Sequence, residues 1–234
     1  MESGYWNEQW SKNIRKFNTF EELISANSEV AKEVYLDLNE LLSHQNYQNK
    51  KILDIGGGYG YLLELMFDKS NSKFLFDTSE TAINVAKEFY DFHEAKVMNI
   101  LTDDLTEYTN SFDVIVCFEV LEHIHPADTN KFLQKIKNLL KKDGEFYMTT
   151  PNITSLPSRL KLMLGMLPNF YTMEFSHIAP FRPQDLRSHL EKSGFKVEEL
   201  ATTHAMFPIK RGRYVKLPFR MNLGENIIAK CTKG

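Results

Sequence analysis

Much of what marks the large special classes of protein is missing from this sequence. Two cysteines in 234 residues, Cys117 and Cys231, are too few for a disulfide-built scaffold. Both sit inside apolar, strand-like runs, where buried free thiols in a reducing cytoplasm explain them. No apolar stretch reaches bilayer length, because Arg159 and Lys161 interrupt the best candidate. The opening Met1-Glu2-Ser3-Gly4-Tyr5-Trp6 is polar and aromatic, so no secretory signal is expected. There is no large excess of either charge. A net value of −3 offers no polyanion-binding surface, and nucleic acid is not favoured as a partner. The one basic cluster, Lys210-Arg211-Arg213-Lys216, reads as solvated, with a phosphorylated or lipid-linked acceptor as the sharper alternative. Internal repeats are absent too. What remains is an ordinary composition, 42% hydrophobic and 25% charged, expected for one cytoplasmic domain over residues 1–234.

The chain is organised around Lys51-Ile52-Leu53-Asp54-Ile55-Gly56-Gly57-Gly58-Tyr59-Gly60. A short apolar run reads as a buried parallel strand. It meets the glycines, and Tyr61 to Phe67 then follows with helical spacing. Glycines suit a tight turn where a ligand must approach bare backbone, and a helix start exposes N–H groups to a polar or anionic ligand. A dinucleotide fingerprint fails, because counting Gly-x-Gly-x-x-Gly from Gly56 ends on Tyr61. Asp-x-Gly-x-Gly-x-Gly stands there instead.

Ahead of this stretch, residues 1–50 read as a helical cap. Trp6, Trp10, Ile14 and Phe17 recur at helical spacing, and Val30 to Leu42 forms a second amphipathic segment. Such helices cover a sheet edge or the site itself, and the sequence does not decide which. After it, Lys73 to Asp77 is a strand ending on an acid about twenty residues past the glycine turn, where a carboxylate accepts hydrogen bonds from ribose hydroxyls. The competing role for Asp77 is to cap the helix that follows Thr78-Ser79-Glu80. A third strand, Ala95 to Met98, leaves Asn99 or Asp103 as the adenine contact.

Phe112 to Phe118 reads as a central parallel strand, buried on both faces. Glu119-Val120-Leu121-Glu122-His123-Ile124 stands at its carboxyl end, where ligands of open α/β sheets bind. A helix over Asp128 to Lys142, stopped by Asp143-Gly144, precedes a fifth strand over Glu145 to Thr150. Residues 151–182 break the rhythm with four prolines, a basic amphipathic helix near Ser158 to Met166, and His177. The run Met163, Leu164, Met166, Leu167, Phe170 and Tyr171 is too apolar for an irregular excursion unless it packs on something. An insertion here is the natural acceptor-binding lid. A helix over Gln184 to Lys192 and strands over Phe195 to Leu200 and Asn226 to Cys231 close the chain. The expected plan is a doubly wound α/β sheet, with a cofactor-binding half at 51–150, a lid at 151–182, and a closing helix and strands at 183–234.

Taken in order, these motifs resemble class I S-adenosylmethionine-dependent methyltransferases. The resemblance is carried by residues 54–60, Asp77, Phe112 to Val116, Glu119-Val120-Leu121-Glu122-His123, Thr150-Pro151-Asn152, and His177 with Pro180-Phe181. Within that group it is nearest to ubiquinone-pathway O-methyltransferases and to sugar or polysaccharide methyltransferases of surface-glycan synthesis. The resemblance implies a Rossmann-like, mostly parallel seven-stranded sheet with an antiparallel last strand, and S-adenosylmethionine as cofactor. Asp54, Gly56, Gly58 and Gly60 would then hold the methionine end, with Gly57 in the same loop. Asp77 would hold the ribose, with Thr78 beside it, and Phe118 and Glu119 would lie along the cofactor. Asn99 is the candidate at the adenine.

Methyl transfer from a sulfonium asks mainly for orientation and exclusion of water. A hydroxyl acceptor adds the need for a base, for which His177 and His123 are the candidates. No metal is assigned, although Glu119, Glu122, His123 and His177 offer oxygen and imidazole ligands for a metal-assisted variant acting on a catechol-like or ribose hydroxyl. A non-catalytic S-adenosylmethionine-binding protein is the rival from another class. A nicotinamide enzyme is disfavoured by Tyr61. The acceptor expected is small or carrier-linked, a sugar being preferred, and the oligomeric state is left open.

Overall fold

The β-branched and aromatic runs pair into one sheet. In the computed structural model, residues 3–12, 14–43, 45–168, 177–210, 213–217 and 222–234 are described. Among the described residues, nine strands follow in chain order: β1 (Lys51–Ile55), β2 (Ser72–Asp77), β3 (Glu94–Val97), β4 (Phe112–Phe118), β5 (Leu140–Pro151), β6 (Phe195–Thr202), β7 (Met206–Lys210), β8 (Arg213–Lys216) and β9 (Asn226–Lys233). Seven of them form a sheet ordered β3-β2-β1-β4-β5-β9-β6, and β7 and β8 make a separate hairpin. The pairs among β1 to β5 are parallel, whereas β9 runs antiparallel to both β5 and β6. Strand order reverses between β1 and β4. Their carboxyl ends therefore open the crevice in which such sheets hold ligands.

Helices cover both faces. They are α1 (Ser3–Ser11), α2 (Phe20–Ala26), α3 (Glu29–Ser43), α4 (Tyr61–Met66), α5 (Glu80–Phe89), α6 (Thr129–Leu139), α7 (Leu156–Met163) and α8 (Pro183–Lys192). Alternation along β4 divides its side chains between two cores. Ile115 and Cys117 pack with Phe132, Ile136, Leu186 and Leu190 of α6 and α8. Val114, Val116 and Phe118 pack with Val34, Leu38, Leu63 and Ile83 of α3, α4 and α5. Cys117 and Cys231 are buried and free. Burial pushes the Cys231 thiol up to about 12, so it is an inert filler of the core. Among the described residues, no helix is long and apolar enough to cross a membrane.

Several boundaries differ from the sequence reading. α6 stops at Leu139, and Asp143-Gly144 lie inside β5 instead of ending the helix. The pairing jumps from Phe112–Leu140 to Val114–Glu145, so residues 141–144 bulge from the sheet, a feature no periodicity reveals. α1 ends at Ser11, leaving Ile14 and Phe17 outside its face. Phe17 is held by its backbone, its N–H donating to the Tyr90 hydroxyl, which donates back to its carbonyl. α7 begins and ends earlier than expected, because Ser155 caps it by accepting from the Ser158 N–H. The β7–β8 hairpin, set between β6 and β9, was not anticipated at all. Phe170, Tyr171 and Arg211 lie outside the described residues, as do the side chains of Val30, Lys210 and Arg213.

Candidate active site

The crevice has two banks. On the first, β1 runs into the glycine turn, where Gly56, Gly58 and Gly60 have φ of 74°, 56° and 75°. These left-handed conformations favour glycine, and space demands it too. A Cβ on Gly58 would run into the Trp10 ring, and one on Gly57 would strike the Asp54 carboxylate. The Gly56 N–H donates to the Phe76 carbonyl at 2.7 Å and ties the turn to β2. The Gly58 N–H donates to Asp77 at 3.0 Å, and the Ser79 N–H donates to the other Asp77 oxygen at 2.8 Å. The helix cap is Ser79, which accepts from the Ala82 N–H; Asp77 is not the cap. Asp77 sits instead at the junction of turn and strand, its carboxyl raised by burial against the pull of those N–H groups.

Asp54 lies beneath the turn, fully buried, and its Oδ1 accepts no hydrogen bond among the described residues. Burial first, and the neighbouring Asp77 charge second, push its carboxyl up to about 8. Asp54 lies behind the cleft lining rather than in it, with Oδ1 open to an N–H donor.

Gly56, Asp77, Thr78, Asn99, Glu119 and His123 line one cleft, floored by apolar side chains that include Met98, Ile100 and Phe132. Asn99 stands in the cleft wall, its Oδ1 accepting from the Leu101 N–H. Asp103 turns back instead and accepts from the Asn99 N–H at 2.8 Å. Phe118 is packed into the core under α3. Trp6 and Trp10 of α1 reach into the cleft from above. They leave about 180 Å³ of space, below the roughly 300–1,000 Å³ of typical ligand pockets. α1 is pinned there by Asn7, whose Oδ1 accepts from the Ser79 hydroxyl and the Thr81 N–H, and by the Tyr59 hydroxyl on the Trp10 carbonyl. The sequence reading left these helices between sheet edge and site. The structure puts Trp6 and Trp10 over the site.

The second bank stands at the end of β4. Glu119 has a φ of 56°, uncommon for a residue with a side chain, and turns the backbone sharply off the strand. Its Oε2 accepts from Asn226 Nδ2 at 2.8 Å. Glu122 is fully buried, with Oε2 accepting from the Thr150 hydroxyl at 3.0 Å. Burial raises both carboxyls, and the Glu119 charge raises Glu122 further. The Glu122 carbonyl accepts from the Ile178 and Ala179 N–H groups, which brings His177 back over the site from the far side of the insertion. His177 Nε2 lies 4.0 Å from Glu122 Oε1. The His123 and His177 rings meet edge to face at 4.8 Å, and Trp6 meets His123 at the same separation. Ligand atoms of Glu122, His123 and His177 all lie within 4.8 Å of one another.

Sequence reasoning missed Asn7 and Asn226, and it named Thr150 in a motif without its contact to Glu122. Asn226 reaches Glu119 from 107 positions away, and only the antiparallel pairing of β9 with β5 brings it there.

This strand order, with its glycine turn and acid-tipped second strand, defines the Rossmann-like class I methyltransferase architecture. A family model described as a methyltransferase domain matches residues 27–200. The ubiquinone biosynthesis O-methyltransferase of Glaesserella parasuis is 30% identical over 167 residues, covering 66% of this chain and 69% of that one. The enzyme of the same name from Marinobacter nauticus is 27% identical over 203 residues, covering 80% and 82%. A putative methyltransferase from Bacillus halodurans superposes with a TM-score of 0.63 at 19% identity, over 85% of this chain and 99% of the other. A SAM-dependent methyltransferase from Aquifex aeolicus does so at 0.60 and 13%, over 92% and 98%. The chain belongs to the class I S-adenosylmethionine-dependent methyltransferase family.

Proposed function

We propose that this enzyme moves the methyl group of S-adenosylmethionine to a hydroxyl of a small or carrier-linked acceptor, in its most specific form a sugar of a surface glycan, in the cytoplasm. The observation that carries the reading is the meeting of Glu122 and His177 with His123, which itself lines the cleft that Gly56 and Asp77 also line. When bound, the cofactor supplies a methyl group already activated by its sulfonium. Asp54, with its unfilled oxygen, takes the methionine ammonium, and Gly56, Gly57, Gly58 and Gly60 let the backbone close on that end. Asp77 and Thr78 hold the ribose. Asn99 reads the adenine over an apolar floor, and Glu119 with the Phe118 backbone lies along the cofactor. Trp6 and Trp10 exclude water.

An acceptor hydroxyl loses its proton as it attacks. In this reading His177 accepts it, with the buried Glu122 carboxyl 4.0 Å from its Nε2 to stabilise the charge that forms, and with His123 packed against it. Names of relatives support oxygen as the methylated atom, since those quoted are O-methyltransferases.

Calorimetric titration with S-adenosylmethionine, S-adenosylhomocysteine and NAD, repeated on Asp77→Ala, tests the cofactor site. The two sulfur ligands alone should bind, and the substitution should weaken both. Binding of NAD, or of nothing, would overturn the reading. Radiolabelled methyl transfer to lipid-linked saccharides and to catechols, with native protein and His177→Ala, then identifies the acceptor and the base. A fall of about 10²–10⁴ in turnover is expected for the variant.

A second reading has its own observation. Glu122 Oε1 accepts no hydrogen bond among the described residues, and it faces two imidazoles. Glu122, His123 and His177 fit a divalent cation, which would lower the pKa of an acceptor hydroxyl. Activity lost to a chelator and restored by Mg²⁺ or Zn²⁺ would favour it over the histidine base.

A further inference from the structure

The glycine turn is bare, yet a side chain already lies on it. The indole of Trp10 packs where a Cβ on Gly58 would stand. The same ring meets Tyr59 at 4.8 Å between centroids, and the Tyr59 hydroxyl donates to the Trp10 carbonyl. On one side of the indole is the cleft of about 180 Å³, with no Lys or Arg in its lining. On the other is a second cavity of about 280 Å³, whose lining includes Arg15, Tyr59 and Tyr61. Among the described residues, Trp10 is the one that lines both. The ring is a partition, and neither chamber alone reaches the roughly 300–1,000 Å³ of typical ligand pockets.

The chemistry of the cofactor decides what belongs across that partition. Its methionine end is a zwitterion. The Asp54 oxygen beneath the turn suits the ammonium, and the carboxylate then needs a cation. Among the described residues lining the two chambers, Arg15 is the only Lys or Arg, and no acid pairs with it. A guanidinium offers two parallel N–H groups to the two oxygens of a carboxylate.

α1 is built to give way. It has nine residues, and none of residues 4–11 is fully buried. Neither its first turn nor its last carries a charge that favours the helix dipole. A helix that short has little stability of its own. Its attachments include the Asn7 contacts at the start of α5 and the hydrogen bond from Tyr59.

We propose that Trp10 is a plug in the methionine end of the cofactor site, displaced from Gly58 when S-adenosylmethionine binds, and that Arg15 behind it takes the cofactor's carboxylate. With the ring off Gly58 the two chambers join. The nucleoside lies over the apolar floor, and the amino-acid end lies between Asp54 and Arg15. The ring then settles on the outer side of the bound cofactor and keeps water out. The proposal rests on the cofactor lying along the glycine turn, as read above.

Both tryptophans of the chain stand on α1, so intrinsic emission reads this helix alone. Trp6→Phe leaves Trp10 as the single reporter. That variant is titrated with S-adenosylhomocysteine, which has the amino-acid end, and with 5′-methylthioadenosine, which lacks it. The first should shift the Trp10 emission, and the second should bind and leave it unchanged. Arg15 is exposed. In calorimetry Arg15→Gln should weaken S-adenosylhomocysteine by about tenfold to 100-fold and 5′-methylthioadenosine by less than about twofold. Emission that ignores saturating S-adenosylhomocysteine overturns the plug, as does an equal response to both ligands. An Arg15→Gln chain that binds S-adenosylhomocysteine like the native one overturns the carboxylate role. Binding of neither ligand by the native chain would overturn the cofactor placement underneath, a failure distinct from the others because each of those requires binding.

Discussion

The two banks of the cleft are built on different physical means. On the β1–β2 bank, backbone does the holding: three left-handed glycines, the Gly58 N–H on Asp77 and the Gly56 N–H on the Phe76 carbonyl. On the β4–β5–β9 bank, buried side chains do it: Asn226 on Glu119, Thr150 on Glu122, and Glu122 behind His177. A bank tied together by backbone, with the Asp77 carboxyl as its chief side-chain partner, leaves little to vary. A bank made of side chains can be re-equipped for another acceptor without touching the turn. The comparison accounts for a fold that keeps one cofactor and changes its acceptor.

Substitution at Gly58 puts the greatest strain on that contrast. Gly58→Val combines a β-branched residue at positive φ with a Cβ that meets Trp10. Cofactor affinity should fall by at least about 100-fold, near 2.7 kcal/mol, as read by calorimetry. On the other bank, Thr150→Val removes the donor from a buried carboxylate while keeping the shape. Stability should drop by about 1–3 kcal/mol in urea melts and turnover by about tenfold, while cofactor affinity stays within about twofold. If Thr150→Val weakens the cofactor as much as Gly58→Val does, the two banks are one unit and the comparison fails.

The same contrast decides what was legible in the sequence. A turn needing positive φ writes glycine into the chain, and a parallel strand buried on both faces writes an apolar run. So Asp54 to Gly60, Asp77 and β4 could be read directly. Glu122 with His123 was visible at its strand end, and His177 as a lone imidazole in an insertion. That these three meet depends on the Ile178 and Ala179 N–H groups reaching the Glu122 carbonyl, a tertiary contact with no local signature. Asn226 carries none either. The aromatic spacing of Trp6 and Trp10 gave away a helix but not its destination, which is fixed by Asn7 at the start of α5. Residues 141–144 misled for a related reason: Asp-Gly reads as a stop wherever it stands, and only pairing with β4 turns it into a bulge.

The smallest expected effect sharpens the comparison most finely, because it concerns a single proton on the backbone-built bank. Asp54 has a folded-state pKa of about 8 against an ordinary value of 3.8, chiefly through burial and then through Asp77. The folded chain therefore keeps a proton that the unfolded chain gives up between those values. By linkage, Asp54 stabilises the ligand-free fold at low pH, and the contribution is lost progressively as pH rises from 3.8 towards 8. The thermal midpoint of Asp54→Asn should fall less over that window than that of the native chain. If Asp54 faces the methionine ammonium, binding favours its ionised form and expels the proton. Titrations at neutral pH should then give enthalpies that differ between phosphate and Tris by up to about one proton's ionisation heat, in the sense of release. A buffer-independent enthalpy would mean that Asp54 stays protonated under the bound cofactor, and that the ammonium is held elsewhere.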